Sequence, residues 1–355
     1  MWAGSPHGVE RSLVEALGIP FAAIQTGQLR GKNPLTALAN LGKMVVGVRQ
    51  SLALLTDFRP DVCFVTGGYV CTPVAIACRL RRIPVLVYLP DLTPGLAIRL
   101  LSTIAQRVAV SFPETARYFG AKAVVTGYPV RPALLEAVQN REEARVQLGR
   151  ALGTAWGENN GSDDQYPILL VFGGSQGSRS INTAIWSALP ALLPLAHIVH
   201  VVGVRDWPLL AEQQPALPPE LARRYHPVDY LHDEMSLALA AADLALARAG
   251  ASTLAEFPIA HLPSVLVPLP ISGGHQIPNA QKLADSGGAL IIRDEELSAR
   301  LVPVLSELLR DESRRLKMGA AVATLSCPQA GMNIACVLME LGAARAENSR
   351  NPAYV

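Results

Sequence analysis

Three short runs carry residue types that could do chemistry. In "LLVFGGSQGSRSINTAI" (169–185) an apolar run, Leu169 to Phe172, meets Gly173-Gly174-Ser175-Gln176-Gly177-Ser178, and Ile181 and Ile185 then recur at helical spacing. The pattern predicts a strand, a tight glycine turn and a helix. Glycines let a backbone approach a ligand closely. The N–H groups of a first helical turn, with the helix macrodipole, favour an anion. Phosphate binding is one reading; a plain tight turn is the other, because glycines also serve helix–sheet packing. The glycines do not give G-x-G-x-x-G, no strand-end acid follows about 20 residues on, and the Walker pattern is absent.

The second run, "ALARAGASTLAEF" (245–257), sets Gly250-Ala251-Ser252-Thr253 after a strand and Glu256 inside the next helix. Thr253 and Glu256 have the T-x-x-E spacing of a capping box, which would satisfy the helix's own N–H groups. The alternative has Glu256 accept hydrogen bonds from a ribose diol while the turn faces a phosphate. Pro258 should shorten or distort that helix. In the third run, "SGGHQIPNAQKLADSGGAL" (272–290), His275, Gln276 and Asn279 share one helical face. This face reads either as solvated or, since it follows a strand and a Gly-Gly turn, as part of a binding edge.

These runs sit on a chain of 355 residues, long enough for two domains. Half the residues are hydrophobic and 5% are aromatic, which suits parallel strands buried on both faces. The net charge of +2 gives no sign of a nucleic-acid partner. The five cysteines form no C-x-x-C pair, and an odd count suits a reducing compartment. They read as small buried hydrophobes; Cys71, beside a glycine turn, is the one to watch. No uninterrupted run of about 18 apolar residues is present, and "MWAGSPHGVERSLVEALGIPF" lacks the regions of a signal peptide. The expectation is a cytoplasmic chain.

Strands alternate with helices twice over. "DVCFVTGGY" (61–69), "IPVLVYLPD" (83–91), "RVAVSF" and "KAVVTGYPVR" are strands of a first α/β domain over 1–140, and 141–166 reads as a helix leading into a linker. A second α/β domain follows over 167–325, and 326–355 reads as a closing helix and tail. The opening is anomalous. A doubly wound domain usually starts on a strand, and Trp2 could end one whose beginning is absent.

In this order the three runs resemble the MurG family, whose members move N-acetylglucosamine from UDP-N-acetylglucosamine onto the 4-hydroxyl of undecaprenyl-pyrophosphoryl-muramyl-pentapeptide. This is the lipid I to lipid II step of peptidoglycan synthesis, on which cell-wall biogenesis, cell shape and division depend. The likeness rests on "GGSQGSRSIN" (173–182), "RAGASTLAE" (248–256) and "HQIPNAQKLADSGGA" (275–289), with "LRGK" (29–32), "TGGYVCTP" (66–73) and "TGYPVR" (126–131), and runs from Trp2 to the closing helix. It implies two Rossmann-like domains facing across a cleft, the GT-B glycosyltransferase architecture, with the first domain incomplete at its start. It also implies inversion at the anomeric carbon and no cofactor or tightly bound metal. Ser175, Gln176 and Gly177 would meet the donor's diphosphate or sugar. Ala251, Ser252, Thr253, Leu254, Ala255 and Glu256 would hold the phosphates and ribose. His275 and Gln276, with Asn279 on their face, would reach the sugar hydroxyls. Arg131 would approach the nucleotide from the first domain, and the backbone at Leu231–His232 would frame the uracil.

The family opens with a further strand and a glycine-rich loop carrying a histidine proposed as the base; nothing here matches it, and His7 reads as a surface residue. Where the family has a polar H-E-Q-N-like run this chain has Tyr88-Leu89-Pro90-Asp91, so Asp91 is the one polar candidate at that position for sugar contact and for the base. The lipid-linked acceptor implies a peripheral site on the cytoplasmic face of the cell membrane. Leu35, Leu38, Leu41 and Val45, near Lys32, Lys43 and Arg49, form a stripe that reads as a core-facing helix or as an interfacial patch. The expected protein is therefore an inverting hexosyltransferase of this type. The alternatives are a UDP-sugar transferase with another lipid acceptor and a non-catalytic UDP-sugar-binding protein.

Overall fold

The computed structural model describes residues 1–6, 8, 10–27, 34–154, 156, 165–174, 176–269 and 276–350. The chain divides into two compact units, Met1–Gly127 together with the chain from Ala330 onward, and Tyr128–Gln329.

In the first unit, strands β1 (Trp2–Gly4) and β2 (Phe21–Ala23) pair in parallel as a separate two-stranded sheet around helix α1 (Glu10–Ala16). The strand at Trp2 thus runs on to Gly4 rather than ending there. Strands β3 (Cys63–Val65), β4 (Val85–Leu89), β5 (Arg107–Val110) and β6 (Ala123–Val125) form a parallel sheet in that order. Strand period sorts their side chains. Val85, Val87 and Leu89 pack with Ala75 and Cys78 of helix α3 (Cys71–Leu80) and with Leu101 of helix α4 (Leu96–Ile104). Leu86, Tyr88 and Ala109 face Ile334 and Val337 of the closing helix, Ala330–Arg350. Asn333 Nδ2 donates to the Thr126 carbonyl at 3.1 Å, and Arg345 donates to the Pro60 carbonyl.

Helix α2 (Pro34–Phe58) buries Gly47, Ser51 and Leu55 and exposes Leu41, Val45 and Val46. The stripe read from sequence, as far as its side chains are described, therefore faces away from the core. Lys32 and the side chains of Leu35 and Leu38 lie outside the described residues, as does His7. Among the described residues no helix is long and apolar enough to cross a membrane. Cys71 donates its S–H to the Gly67 carbonyl at 2.7 Å, and burial pushes its pKa up, so it is not a reactive thiolate.

The second unit begins earlier than the expected boundary at 140. Helix α5 (Pro132–Ala137) and helix α6 (Arg141–Ala151), the latter inside the expected linker, belong to it. Helix α6 buries only Ala144, Leu148 and Gly149, and charge fastens it: Arg141 Nη2 lies 2.7 Å from Asp243 Oδ1, and the other oxygen of Asp243 accepts from Ile168 N. Six parallel strands follow: β7 (Ile168–Phe172), β8 (His197–Val201), β9 (Tyr225–Val228), β10 (Leu244–Ala247), β11 (Ser264–Leu266) and β12 (Ala289–Ile291), in the order β12-β11-β10-β7-β8-β9. The chain runs outward from β7 one way and then returns to build the other, so the order reverses between β7 and β10. In open α/β sheets ligands bind at such a reversal, beyond the carboxyl ends of the strands.

Helix α7 (Arg179–Leu192) covers one face of this sheet with a buried polar chain beneath it. Trp186 Nε1–H donates to the Tyr225 oxygen at 3.1 Å, and His200 Nδ1 lies 2.8 Å from the same oxygen. His200 Nε2 lies 3.0 Å from Asn182 Oδ1. Burial pulls the His200 pKa down to about 3, and burial with the neighbouring His197 pulls that of His226 down to about 4. The unfolded chain takes up these protons first, so stability is full above pH ~6.5 and falls as the pH drops from there towards 4. We expect a loss of roughly 1 kcal/mol per pH unit for each ring within that window, with His226→Phe flattening its share. A melting temperature constant from pH 6.5 to 4.5 would contradict this.

Candidate functional site

The reversal point gathers all three chemical runs. The ends of β7, β10 and β11 lie side by side, Phe172 against Ala247 and Ala247 against Leu266. All three strands are fully buried, β7 and β10 wholly apolar and β11 carrying Ser264 at its start.

After β7 the chain turns back sharply, Gly177 N–H donating to the Gly174 carbonyl at 2.9 Å. Gly174 and Gly177 have φ of +94° and +79°, a left-handed backbone that disfavours other residues. A Cβ on Gly177 would lie 2.3 Å from the Val202 carbonyl oxygen, and one on Gly203 would lie 2.4 Å from Gly177 N. The turn after β7 therefore rests directly on the turn after β8. Ser178 begins α7 with an extended backbone, leaving the N–H groups of the helix's first turn directed out of its end. Gln176 is exposed, and Ser175 lies outside the described residues.

Arg248 was not singled out from sequence, yet it ties the strand ends together. The buried guanidinium donates to Ser178 Oγ at 3.1 Å, Ser180 Oγ at 2.7 Å, the Val267 carbonyl at 3.1 Å and Asp294. Its signal was a cation closing a wholly apolar strand inside "RAGASTLAE".

The turn after β10 leads into helix α11 (Thr253–Ala260). The capping-box reading fails here. Thr253 Oγ1 donates to the Gly250 carbonyl at 2.6 Å, and the N-cap is Ser252, without a side-chain cap bond. Glu256 is thus one residue too far along for the box. Instead its carboxylate accepts from the Ser252 hydroxyl and lies 3.7 Å from Arg131 Nη2. Burial pushes the Glu256 pKa up, and Ser252 and Arg131 offset only part of that. Helix α11 ends two residues after Pro258, with His261 in the left-handed region at φ 51°.

Arg131 lies in this same unit, at the start of α5, not in the first domain as expected. Its Nη1 donates to the His232 carbonyl at 3.3 Å. Leu231 is buried, and the Tyr230 and His232 rings meet edge to face at 4.7 Å. The fold thus brings together Arg131, Glu256 and the His232 backbone from three separate stretches.

Helix α12 (Gln276–Asp285) supplies the third run. Gln276 Oε1 accepts from Leu269 N at 2.8 Å, while Asn279 is buried and donates to the Ala249 carbonyl at 3.3 Å. Asn279 therefore braces the 249–252 turn from below rather than lying on a solvated face. His275 falls outside the described residues. Asp91 lies in the other unit, on the bend after β4, following Tyr88 and Leu89, which are sheet core. A cavity of about 870 Å³ opens at Gly173, Gly177 and Gln276 and runs along α7 to Ser187; Arg131 and Glu256 lie outside its walls. Groups of three or more metal-ligating side chains are absent among the described residues.

Residues 1–110 match the glycosyltransferase family 28 N-terminal domain and residues 168–331 the glycosyltransferase family 28 C-terminal domain. The chain is similar to UDP-N-acetylglucosamine–N-acetylmuramyl-(pentapeptide) pyrophosphoryl-undecaprenol N-acetylglucosamine transferases. That of Roseiflexus sp. (strain RS-1) is 36% identical over 96% of this chain and 83% of the relative. That of Desulforudis audaxviator is 37% identical over 96% and 90%. Among solved structures, Acinetobacter baumannii MurG matches with a TM-score of 0.73 at 25% identity, covering 96% of this chain and 90% of that one. A Neisseria meningitidis UDP-GlcNAc 2-epimerase bound to UDP-GlcNAc matches in fold, with a TM-score of 0.65 at 13% identity, over 95% and 90%.

The site yields one stability test. A carboxylate whose folded pKa is raised destabilises the fold once the pH passes its unfolded value of about 4.3. Glu256→Gln should leave the melting temperature unchanged or higher at pH 7, with the difference from the parent growing between pH 4 and 7. A fall worth about 1 kcal/mol, the value of a lost N-cap, would restore the capping reading.

Proposed function

The chain belongs to the MurG family, within glycosyltransferase family 28, and has its two-domain GT-B fold; from that premise we propose that it transfers N-acetylglucosamine from UDP-N-acetylglucosamine to the 4-hydroxyl of an undecaprenyl-pyrophosphoryl-muramyl-pentapeptide. The observation that carries the donor half is the meeting of Arg131, Glu256 and the His232 backbone beside two turns at the sheet reversal. The Glu256 carboxylate accepts from the ribose hydroxyls, and the His232 backbone frames the uracil. The first-turn N–H groups of α7 receive the diphosphate, with Ala251 to Ala255 around it. Gln176 and Gln276 reach towards the sugar, with Ser175 and His275 assigned there by family likeness.

The reaction is a displacement at the anomeric carbon. A base removes the proton of the acceptor hydroxyl, the new bond forms from that oxygen, and the bond to the UDP oxygen breaks with inversion. Charge appearing on the leaving diphosphate is met by N–H dipoles already in place, with the Arg248 guanidinium behind them. Asp91 is the candidate base within this sequence.

The acceptor is lipid-linked, and exposed Leu41, Val45 and Val46 on α2, near Lys43 and Arg49, suit an interfacial surface on the cytoplasmic leaflet. Leu41→Ser/Val45→Ser should reduce sedimentation with anionic phospholipid vesicles while leaving UDP binding unchanged. Equal sedimentation would remove this patch from the reading.

Calorimetry tests the donor site. The protein should bind UDP-N-acetylglucosamine in preference to NADH, and Glu256→Ala should weaken that binding by about 1–3 kcal/mol through loss of a charged acceptor. Unchanged affinity in a folded Glu256→Ala variant would make Glu256 structural.

A further inference from the structure

The glycine turn is seated by a side chain that no ligand can touch. Val202 and Gly203, on which Gly177 rests, are held from below by Asn182, whose Nδ2 donates to the Val202 carbonyl at 2.8 Å and to Asp206 Oδ2 at 3.0 Å. Asp206 in turn accepts from Arg179 at 2.7 Å. Both amide hydrogens of Asn182 are then used, so its Oδ1 must accept, and the proton between it and His200 belongs to His200 Nε2. The neutral ring is therefore bare at Nδ1, which accepts the Tyr225 O–H, while the Tyr225 oxygen accepts the Trp186 N–H. Every member has one possible role. A change at His200 leaves Asn182 Oδ1 buried without its donor, and turning the amide to compensate withdraws an N–H from Val202.

We propose that His200 is a positioning residue for the nucleotide diphosphate: through Asn182 it fixes the Val202–Gly203 backbone that holds the Gly177 turn against the ligand. The proposal rests on the donor reading above. It differs from a packing role in what it moves. Loss of packing lowers stability throughout the unit, whereas loss of this link displaces the turn that leads the α7 N–H groups to the phosphate.

The test measures UDP affinity, donor KM, kcat and melting temperature for four variants at a temperature where each is folded. His200→Phe keeps the volume and loses both hydrogen bonds, and should raise the Kd for UDP and the donor KM at least about tenfold, a loss typical of an orphaned buried polar group, with kcat within about threefold. His200→Gln, with one N–H for Asn182 and one oxygen for Tyr225, should restore affinity to within about threefold. Leu192→Ala, which trims the core at the far end of the same helix, should lower the melting temperature without altering affinity. If His200→Phe does not fold, Tyr225→Phe replaces it and should weaken UDP binding about threefold, because the ring is no longer held in one tautomer. Wild-type affinity in the folded substitute, or His200→Gln as weak as His200→Phe, would overturn the inference alone. Absence of UDP binding to the parent protein would overturn the donor reading and this inference with it.

Discussion

The second unit's site depends on the approach of Gly177 to Gly203. With both residues in the left-handed region and no room for a Cβ on either, the turns after β7 and β8 stack backbone on backbone. That contact fixes where α7 begins and where the N–H groups of its first turn point. Phosphate recognition by N–H groups needs such rigidity, because each bond is short and directional and a displaced turn loses several at once. Arg248 secures the same turn from the β10 side, joining Ser178 and Ser180 of α7 to Val267 and Asp294.

Charge inside this unit divides into two kinds. Arg141–Asp243 and Arg179–Asp206 each close to 2.7 Å, and each carboxylate accepts a further N–H from its surroundings. These pairs are complete, and their work is to fasten elements. Glu256 is different. Its cation partner, Arg131, stands 3.7 Å away and its pKa is raised by burial, so its carboxylate is desolvated without being compensated in full. A group held in that condition is strongly favoured to accept from hydroxyls that arrive with a ligand.

The sequence was legible where a pattern is local. Apolar runs ending in glycine located β7, β10 and their turns, and the repeated strand–helix rhythm pointed to the four-stranded and six-stranded sheets, though not to the separate β1–β2 pair. It was misleading where one residue of register decides. Thr253 and Glu256 have capping-box spacing, but Ser252 adopts a helical backbone and shifts the helix start, so the carboxylate leaves the cap. Helix α6 was legible as a helix, but its place in the second unit was hidden because it is fastened there by a charge pair to Asp243, about a hundred positions away, rather than by an apolar stripe. The His200 chain was hidden for the same reason, its members coming from α7, β8 and β9. On α2 the stripe was visible from sequence, but only the exposure of Leu41 and Val45 separates a core face from an outward one.

Arg131 shows how unit boundaries bear on the chemistry. Sequence order assigns it to the first domain, since it follows "TGYP" at the end of that domain's last strand. Contacts assign it to the second, because α5 packs on α10 (Glu234–Ala241) and α11 and carries the guanidinium to Glu256 and the His232 carbonyl. The strand ends, both turns, the half-buried carboxylate and its cation therefore all lie within Tyr128–Gln329. Their mutual geometry is set by one hydrophobic core and one sheet. A nucleotide held by these groups would meet a surface whose spacing does not depend on the position of the first unit.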